Sequence, residues 1–177
     1  MIPDSPLSPA PSEWVVRCAA LIRVNGRVLD VACGSGRHVR FLARSGFQVE
    51  AVDRDAYALA ACTNWPGVVV RCADLENEAW PYGAGEFDGI VVTNYLHRPL
   101  FPKLFESLAV GGILIYETFA EGHERLGRPQ NPDYLLKSAE LLEQVKESLE
   151  VNAYEELCVI QPKCAVVQRI CATKVAG

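Results

Sequence analysis

Hydrophobic residues in this chain gather in short, nearly unbroken runs, with longer stretches of helical period between them. The runs at 27–32, 48–52, 68–72, 87–93 and 113–117 place apolar side chains on both alternating faces. That is the pattern of parallel strands covered on two sides. Between them, Val39, Leu42 and Ala43 mark the inward stripe of a helix over 36–45, stopped by Gly46. Phe101, Leu104, Phe105 and Leu108 mark another, with Pro102 in its first turn and Gly111-Gly112 at its end. Ser12 caps a helix over 14–22, and Asn25-Gly26 turns it into the first strand. Asp55 caps a short helix over 56–62, and Ser138 starts a last one with Leu141, Leu142 and Val145 inward. Residues 151–160 and 163–173 read as two strands parted by Gln161-Pro162, an antiparallel pair.

Alternating strands and helices followed by a hairpin predict an α/β fold. The sheet is expected to be doubly wound and Rossmann-like, with seven mostly parallel strands and a C-terminal antiparallel hairpin. One domain over 13–177 would follow a Pro/Ser-rich arm at 1–12 that includes Pro3, Pro6, Pro9 and Pro11. Residues 118–137 show no clear period, and loops this long inside compact domains are often functional. Both the arm and this segment are candidate lids.

Composition narrows the setting. Half the residues are hydrophobic and 22% are charged, ordinary for a soluble globular protein. The net charge of −5 and the absence of a basic stripe argue against a nucleic-acid partner. Arg37, Arg40 and Arg44 share a helical face, which reads as solvated surface. No apolar run approaches the ~20 residues that span a bilayer, so no membrane partner is expected. The N-terminus lacks a basic region before an apolar core, so no secretory leader is expected. Seven cysteines, odd in number and without a C-x-x-C, suit small buried hydrophobes in a reducing cytoplasm. No metal set emerges.

The chemistry concentrates in residues 27–55. An apolar strand carrying Asp30 leads into the turn Ala32-Cys33-Gly34-Ser35-Gly36, a helix follows, and a second strand closes on Asp53. This is half of a nucleotide-binding fold. A nicotinamide-dependent Rossmann oxidoreductase also uses such glycines, but its G-x-G-x-x-G would need glycine where Val39 stands.

The segment D-V-A-C-G-S-G at 30–36 resembles the first motif of class I S-adenosylmethionine-dependent methyltransferases. Asp53 matches the acid ending their second strand, Asp74-Leu75 their adenine-facing pair, Phe87-Asp88 their fourth strand, and the hairpin the end of their seven-stranded sheet. The resemblance spans nearly the whole chain and implies S-adenosyl-L-methionine as cofactor. It implies that Ala32, Cys33, Gly34 and Gly36 form the turn, the glycines letting backbone approach the methionine and ribose parts. Asp30 would meet the ammonium end, and Asp53 would accept from the two ribose hydroxyls. Asp74 would accept from the adenine amino group and the Leu75 amide would donate to the ring, with Arg54 and Ala73 flanking.

The reaction implied is in-line attack of an acceptor on the sulfonium methyl, with position and electrostatics supplied by the protein. Asn94 at the end of strand four belongs with the cofactor residues. Tyr95, His97, Tyr116 and Glu117, near the ends of strands four and five, are the catalytic or substrate-facing candidates. The run E-T-F-A-E-G-H-E-R-L-G-R-P-Q-N-P-D-Y-L-L at 117–136 resembles the corresponding segment of small tellurite-resistance-type methyltransferases. That resemblance implies a small-molecule acceptor such as a metalloid or thiol. A non-catalytic cofactor-binding module is the reading from another class, since the motif speaks for binding before it speaks for catalysis.

Overall fold

The computed structural model describes residues 9–161 and 163–176. Seven strands form one sheet: β1 (Arg27–Val31), β2 (Gln48–Asp53), β3 (Val68–Cys72), β4 (Phe87–Thr93), β5 (Leu108–Phe119), β6 (Leu149–Val159) and β7 (Ala165–Lys174). Their spatial order is β3-β2-β1-β4-β5-β7-β6. The first five are parallel, and β7 runs antiparallel to both β5 and β6. The hairpin therefore adds one reversed strand, as its sequence predicts.

Each face of the sheet carries its own apolar layer, which explains the doubled hydrophobic pattern of β1 and β4. On one side lie α1 (Glu13–Ala19), α2 (Arg37–Arg44) and α3 (Ala56–Leu59), packing Trp14, Val15, Val39, Leu42 and Leu59 onto Val28, Val49 and Val91. On the other lie α4 (Phe101–Ser107) and α5 (Glu140–Val145), packing Phe101, Leu104, Leu141 and Val145 onto Leu29, Ile90, Leu114 and Tyr116. Full burial of such side chains contributes roughly 1.5–3 kcal/mol each.

Caps and turns set the ends. The Ser12 side chain accepts from the Trp14 amide, and Asp55 accepts from the Tyr57 and Ala58 amides. The Trp14 indole donates to the Ile170 carbonyl of β7, pinning α1 to the hairpin.

Several boundaries differ from the sequence pattern. The first helix stops at Ala19, not at 22, although Ile22 is still buried by the turn that follows. Gly111-Gly112 does not end α4. Strand β5 already begins at Leu108, and the glycines lie in a bulge between the Phe87/Leu108 and Gly89/Ile113 pairs. At Gly112 a Cβ would come within 2.8 Å of the Ala109 carbonyl, so no larger residue fits that bend. Ser138 does not begin α5; the helix starts at Glu140 after Ala139, whose φ is +57°.

Residues 118–137 are packed rather than loose. β5 runs on to Phe119, two 3-10 turns follow (His123–Arg125 and Pro132–Tyr134), and Ala120 bridges Leu136. Leu135 and Leu136 are buried. The sequence hides this order because short 3-10 turns carry no long period. Of the seven cysteines, Cys18, Cys33, Cys62 and Cys171 are buried, while Cys72, Cys158 and Cys164 are exposed. Residues 1–8 of the expected arm lie outside the described residues.

Candidate functional site

Strand order reverses between β1 and β4, and an open α/β sheet has its natural crevice at the carboxyl ends of such strands. A cavity of about 400 Å³ lies there, within the range of small-molecule sites. Its walls come from the ends of five strands: Ala32 after β1, Asp53 and Arg54 at β2, Ala73 to Glu76 after β3, Asn94 to Leu96 after β4, and Thr118 and Phe119 of β5. Pro129 and Tyr134 complete it.

The turn after β1 is held from below. The Cys33 amide donates to the Val52 carbonyl, and the Gly34 amide donates to Asp53 Oδ2 at 2.8 Å. The second Asp53 oxygen accepts from the Asp55 amide at 2.9 Å. One carboxylate thus ties the glycine turn to the end of β2. Gly34 and Gly36 both have positive φ, but their surroundings differ. A Cβ on Gly36 would lie 2.1 Å from Cys62 Sγ, whereas a Cβ on Gly34 would meet nothing within 4 Å. Gly36 is required by packing; Gly34 leaves space beside the turn.

Ala32 and Asn94 are non-glycine residues in the left-handed region, with φ of +52° and +55°. Both line the cavity, at the two strands flanking the switch point. The Asn94 amide is fixed by the Glu117 carbonyl.

Asp30 is 1% exposed, and neither carboxylate oxygen has a hydrogen-bond partner among the described residues. Burial pushes its pKa up to about 7, against the opposing pull of Arg37 and the Val39 amide at the start of α2. A buried acid without a partner is costly, so an acid maintained here is suited to a cation brought by a ligand.

Downstream, Asp74 accepts from the Glu76 amide and the Asn77 side chain, which hold its pKa below the usual carboxylate range. Arg54, Ala73, Asp74 and Leu75 form one continuous wall of the cavity. Of the sequence-derived cofactor residues, Ala32, Asp53, Arg54, Ala73, Asp74, Leu75 and Asn94 line it directly. Asp30, Cys33, Gly34 and Gly36 belong to the strand and turn behind Ala32.

The catalytic candidates divide. Tyr95 lines the cavity, and burial pushes its phenol up, so it remains a hydrogen-bond donor. Tyr116 is buried among apolar residues and donates to the Tyr95 carbonyl at 2.9 Å, shaping the loop after β4. Glu117 pairs with Arg169 on β7. His97 is half-buried just before the 3-10 turn Arg98–Leu100, outside the cavity lining.

Sequence reading missed His38 on α2. It is 2% exposed, accepts from the Ser12 amide at Nε2, and lies 3.3 Å from the Thr93 hydroxyl at Nδ1. With Nε2 accepting, the ring is neutral and Nδ1 is the protonated nitrogen. Burial and the neighbouring Arg37 push its pKa down to about 3. Glu50 was also missed: 2% exposed within β2, it is held by Arg27 and Arg71 from the strands on either side. No single-residue signal marks either one, since both look like polar members of a regular element.

Residues 28–112 match the family model described as a methyltransferase domain. YqeM of Bacillus subtilis, described as a candidate methyltransferase, is 28% identical over 128 residues, which is 64% of this chain and 51% of YqeM. The chain thus spans about half the length of that curated relative. Among solved structures it is similar to an S-adenosylmethionine-dependent methyltransferase of Methanosarcina mazei, with a TM-score of 0.73 and 16% identity over 96% of this chain and all of the other. It is also similar to TehB of Haemophilus influenzae, with a TM-score of 0.77 and 21% identity over 94% of this chain and 63% of TehB. Fold, turn motif and the match over residues 28–112 together make the chain similar to class I, S-adenosylmethionine-dependent methyltransferases. TehB-like proteins are among the solved structures that share its fold. A similar likeness to the [4+2]-cyclase SpnF, with a TM-score of 0.71 and 16% identity over 93% of this chain and 80% of that one, shows why fold alone does not name a reaction.

Proposed function

We propose that this chain binds S-adenosylmethionine in the switch-point cavity and methylates a small-molecule acceptor in the cytoplasm. The observation that carries the reading is Asp30, a buried acid whose carboxylate oxygens have no hydrogen-bond partner of good geometry among the described residues, beside a glycine turn that leaves room for a ligand. The residues fit the cofactor: an acid for its ammonium group, open space at Gly34, Asp53 for vicinal hydroxyls, and Asp74 with Leu75 for a purine edge.

When bound, the cofactor supplies an activated methyl on a sulfonium. The chain's own residues bind, orient and exclude water. Asp30 offers charge at one end of the site, and Asp53 keeps the turn in place while presenting its remaining lone pairs. Thr118, Phe119, Pro129 and Tyr134 also line the cavity and are the residues we assign to the acceptor. Burial and the neighbouring Glu76 keep the Tyr95 phenol protonated, so it is not a base and the acceptor brings its own nucleophilic lone pair. A thiolate that has already lost its proton to solvent, or a reduced metalloid with a free lone pair, is such an acceptor.

Calorimetry with S-adenosylmethionine, S-adenosylhomocysteine and NAD tests the cofactor. Binding of the first two and not the third is expected. No heat from either at about 1 mM, or preference for NAD, would refute the reading. Screening small thiols, metalloid oxyanions and heteroaromatic amines with methyl-labelled cofactor then identifies the acceptor. Turnover only on a protein or nucleic acid would overturn the small-molecule assignment.

A further inference from the structure

Arg98 lies just beyond the loop that carries Asn94, Tyr95 and Leu96 into the cavity. Its guanidinium grips Glu140 with two bonds, Nε to Oε1 at 2.6 Å and Nη2 to Oε2 at 2.9 Å. It also donates to two backbone carbonyls, from Nη1 to Asp133 at 2.7 Å and from Nη2 to Leu135 at 2.9 Å. Glu140 in turn accepts from the Lys137 amide. The carbonyls of 133 and 135 bracket Tyr134, a wall residue of the cavity whose own side chain is 50% exposed.

One side chain therefore joins two walls that come from distant parts of the chain. The post-β4 loop forms the first wall, and residues 119–137 form the second. The fork geometry matters: a planar guanidinium serves a carboxylate and two carbonyls together, which an ammonium cannot do. Backbone bonds from Leu136 to Phe119 and from Glu121 to Leu136 complete the second wall's attachment to β5.

We propose that Arg98 is a positioning residue that clamps the 119–137 segment against the loop after β4, so that Tyr134 closes the cavity over bound ligand. This rests on the reading of that cavity as the methyl-transfer site. Arg98 touches no ligand; it acts through Tyr134 and, on the same segment, Pro129.

The test uses the full chain and the variants Arg98→Ala, Arg98→Lys, Tyr134→Ala and the Arg98→Ala/Tyr134→Ala double variant. Hydrogen exchange without ligand should be about tenfold faster at the Tyr134, Leu135, Leu136 and Glu121 amides in Arg98→Ala, with β1 and β4 unchanged. Arg98→Lys should show the same pattern at smaller size, and it decides the matter should Arg98→Ala fail to fold. S-adenosylhomocysteine should leave Arg98→Ala about tenfold faster than the wild type. Tyr134→Ala should release it similarly fast, and the double variant should add less than about twofold more, because both changes remove one interaction. Independent, multiplying effects would overturn the proposal, as would unchanged exchange at 134–136. A wild type that does not bind S-adenosylhomocysteine would sink the methyltransferase reading, while the exchange arm would still decide whether the clamp exists.

Discussion

Replacing Asp30 by asparagine should make the free protein more stable at neutral pH and the cofactor complex weaker. Folded Asp30 titrates near 7 instead of 3.8, because burial penalises its charge more than Arg37 and the Val39 amide favour it. Unfolded chain loses that proton near 3.8, so between the two values the folded state holds more protons. The stability this provides is fully present below about pH 4 and is lost as pH rises through about 7. At about 1.4 kcal/mol per pH unit, the rise from 3.8 to about 7 corresponds to roughly 4 kcal/mol. Asparagine keeps the shape and carries no charge. In urea unfolding, Asp30→Asn should match the wild type near pH 4 and exceed it by about 2–4 kcal/mol at pH 8, roughly 5–15 °C in Tm for a chain of this size. His38 tilts the wild-type curve the opposite way in acid, so the difference between the two proteins is the quantity to follow. S-adenosylhomocysteine, which carries the same ammonium group, should bind Asp30→Asn at least about tenfold more weakly. Calorimetry of the wild type near pH 6 in buffers of different ionisation enthalpy should show proton release on binding. A stability difference that stays flat from pH 4.5 to 8 would refute the account of Asp30 as an unpartnered buried acid.

The two turn glycines should separate packing from binding. Gly36→Ala forces a methyl onto Cys62 Sγ at a positive φ and should destabilise by at least about 2 kcal/mol in urea unfolding. Gly34→Ala meets only open space, so it should cost about 1–2 kcal/mol of backbone strain while abolishing S-adenosylhomocysteine binding at 1 mM; retained affinity would show that the ligand lies elsewhere. Ala32→Gly relieves a left-handed alanine at φ +52°, about 1–2 kcal/mol, against about 0.5–1 of added freedom in the unfolded chain. A rise in Tm of roughly 2 °C is expected, and a fall would mean that the Ala32 methyl contributes more packing than its backbone costs. His38 stays neutral when folded, so stability from it is lost as pH drops below its unfolded value of 6.5. The advantage of wild type over His38→Gln should shrink by up to about 1.4 kcal/mol per pH unit from 6.5 downward; a constant advantage would contradict the buried Ser12–His38 link.

Much of the fold was legible because its signals are local. Period 2 and period 3.6 belong to single elements, so β1 to β4, α2 and the closing hairpin can be read from a few neighbouring residues each. Where the signal is shorter than one such period, reading fails. The 3-10 turns at 123–125 and 132–134 carry no pattern, and the Gly111-Gly112 pair reads as a helix stop although it lies inside β5.

The site divides along the same line. Residues 30–36 and Asp53, separated by one helix, already describe a turn that approaches a ligand, because chain connectivity alone brings them together. Which residues complete that turn into a cavity depends on strand order, and strand order is set by how two apolar faces are covered at once. That packing puts Asn94 and Ala32 side by side across the switch point and sends the Tyr116 hydroxyl to the Tyr95 carbonyl. It ties Glu117 to Arg169, and it lets Arg98 hold a wall made 35 to 37 residues later. It also leaves the Asp30 carboxylate oxygens without a well-formed hydrogen bond among the described residues. The sequence by itself determined the elements and the ligand-facing turn, since each lies within a few dozen residues of chain. Only the tertiary structure decided which acid is unpaired and which side chains close the cavity, since those depend on distances between residues that the chain does not connect directly.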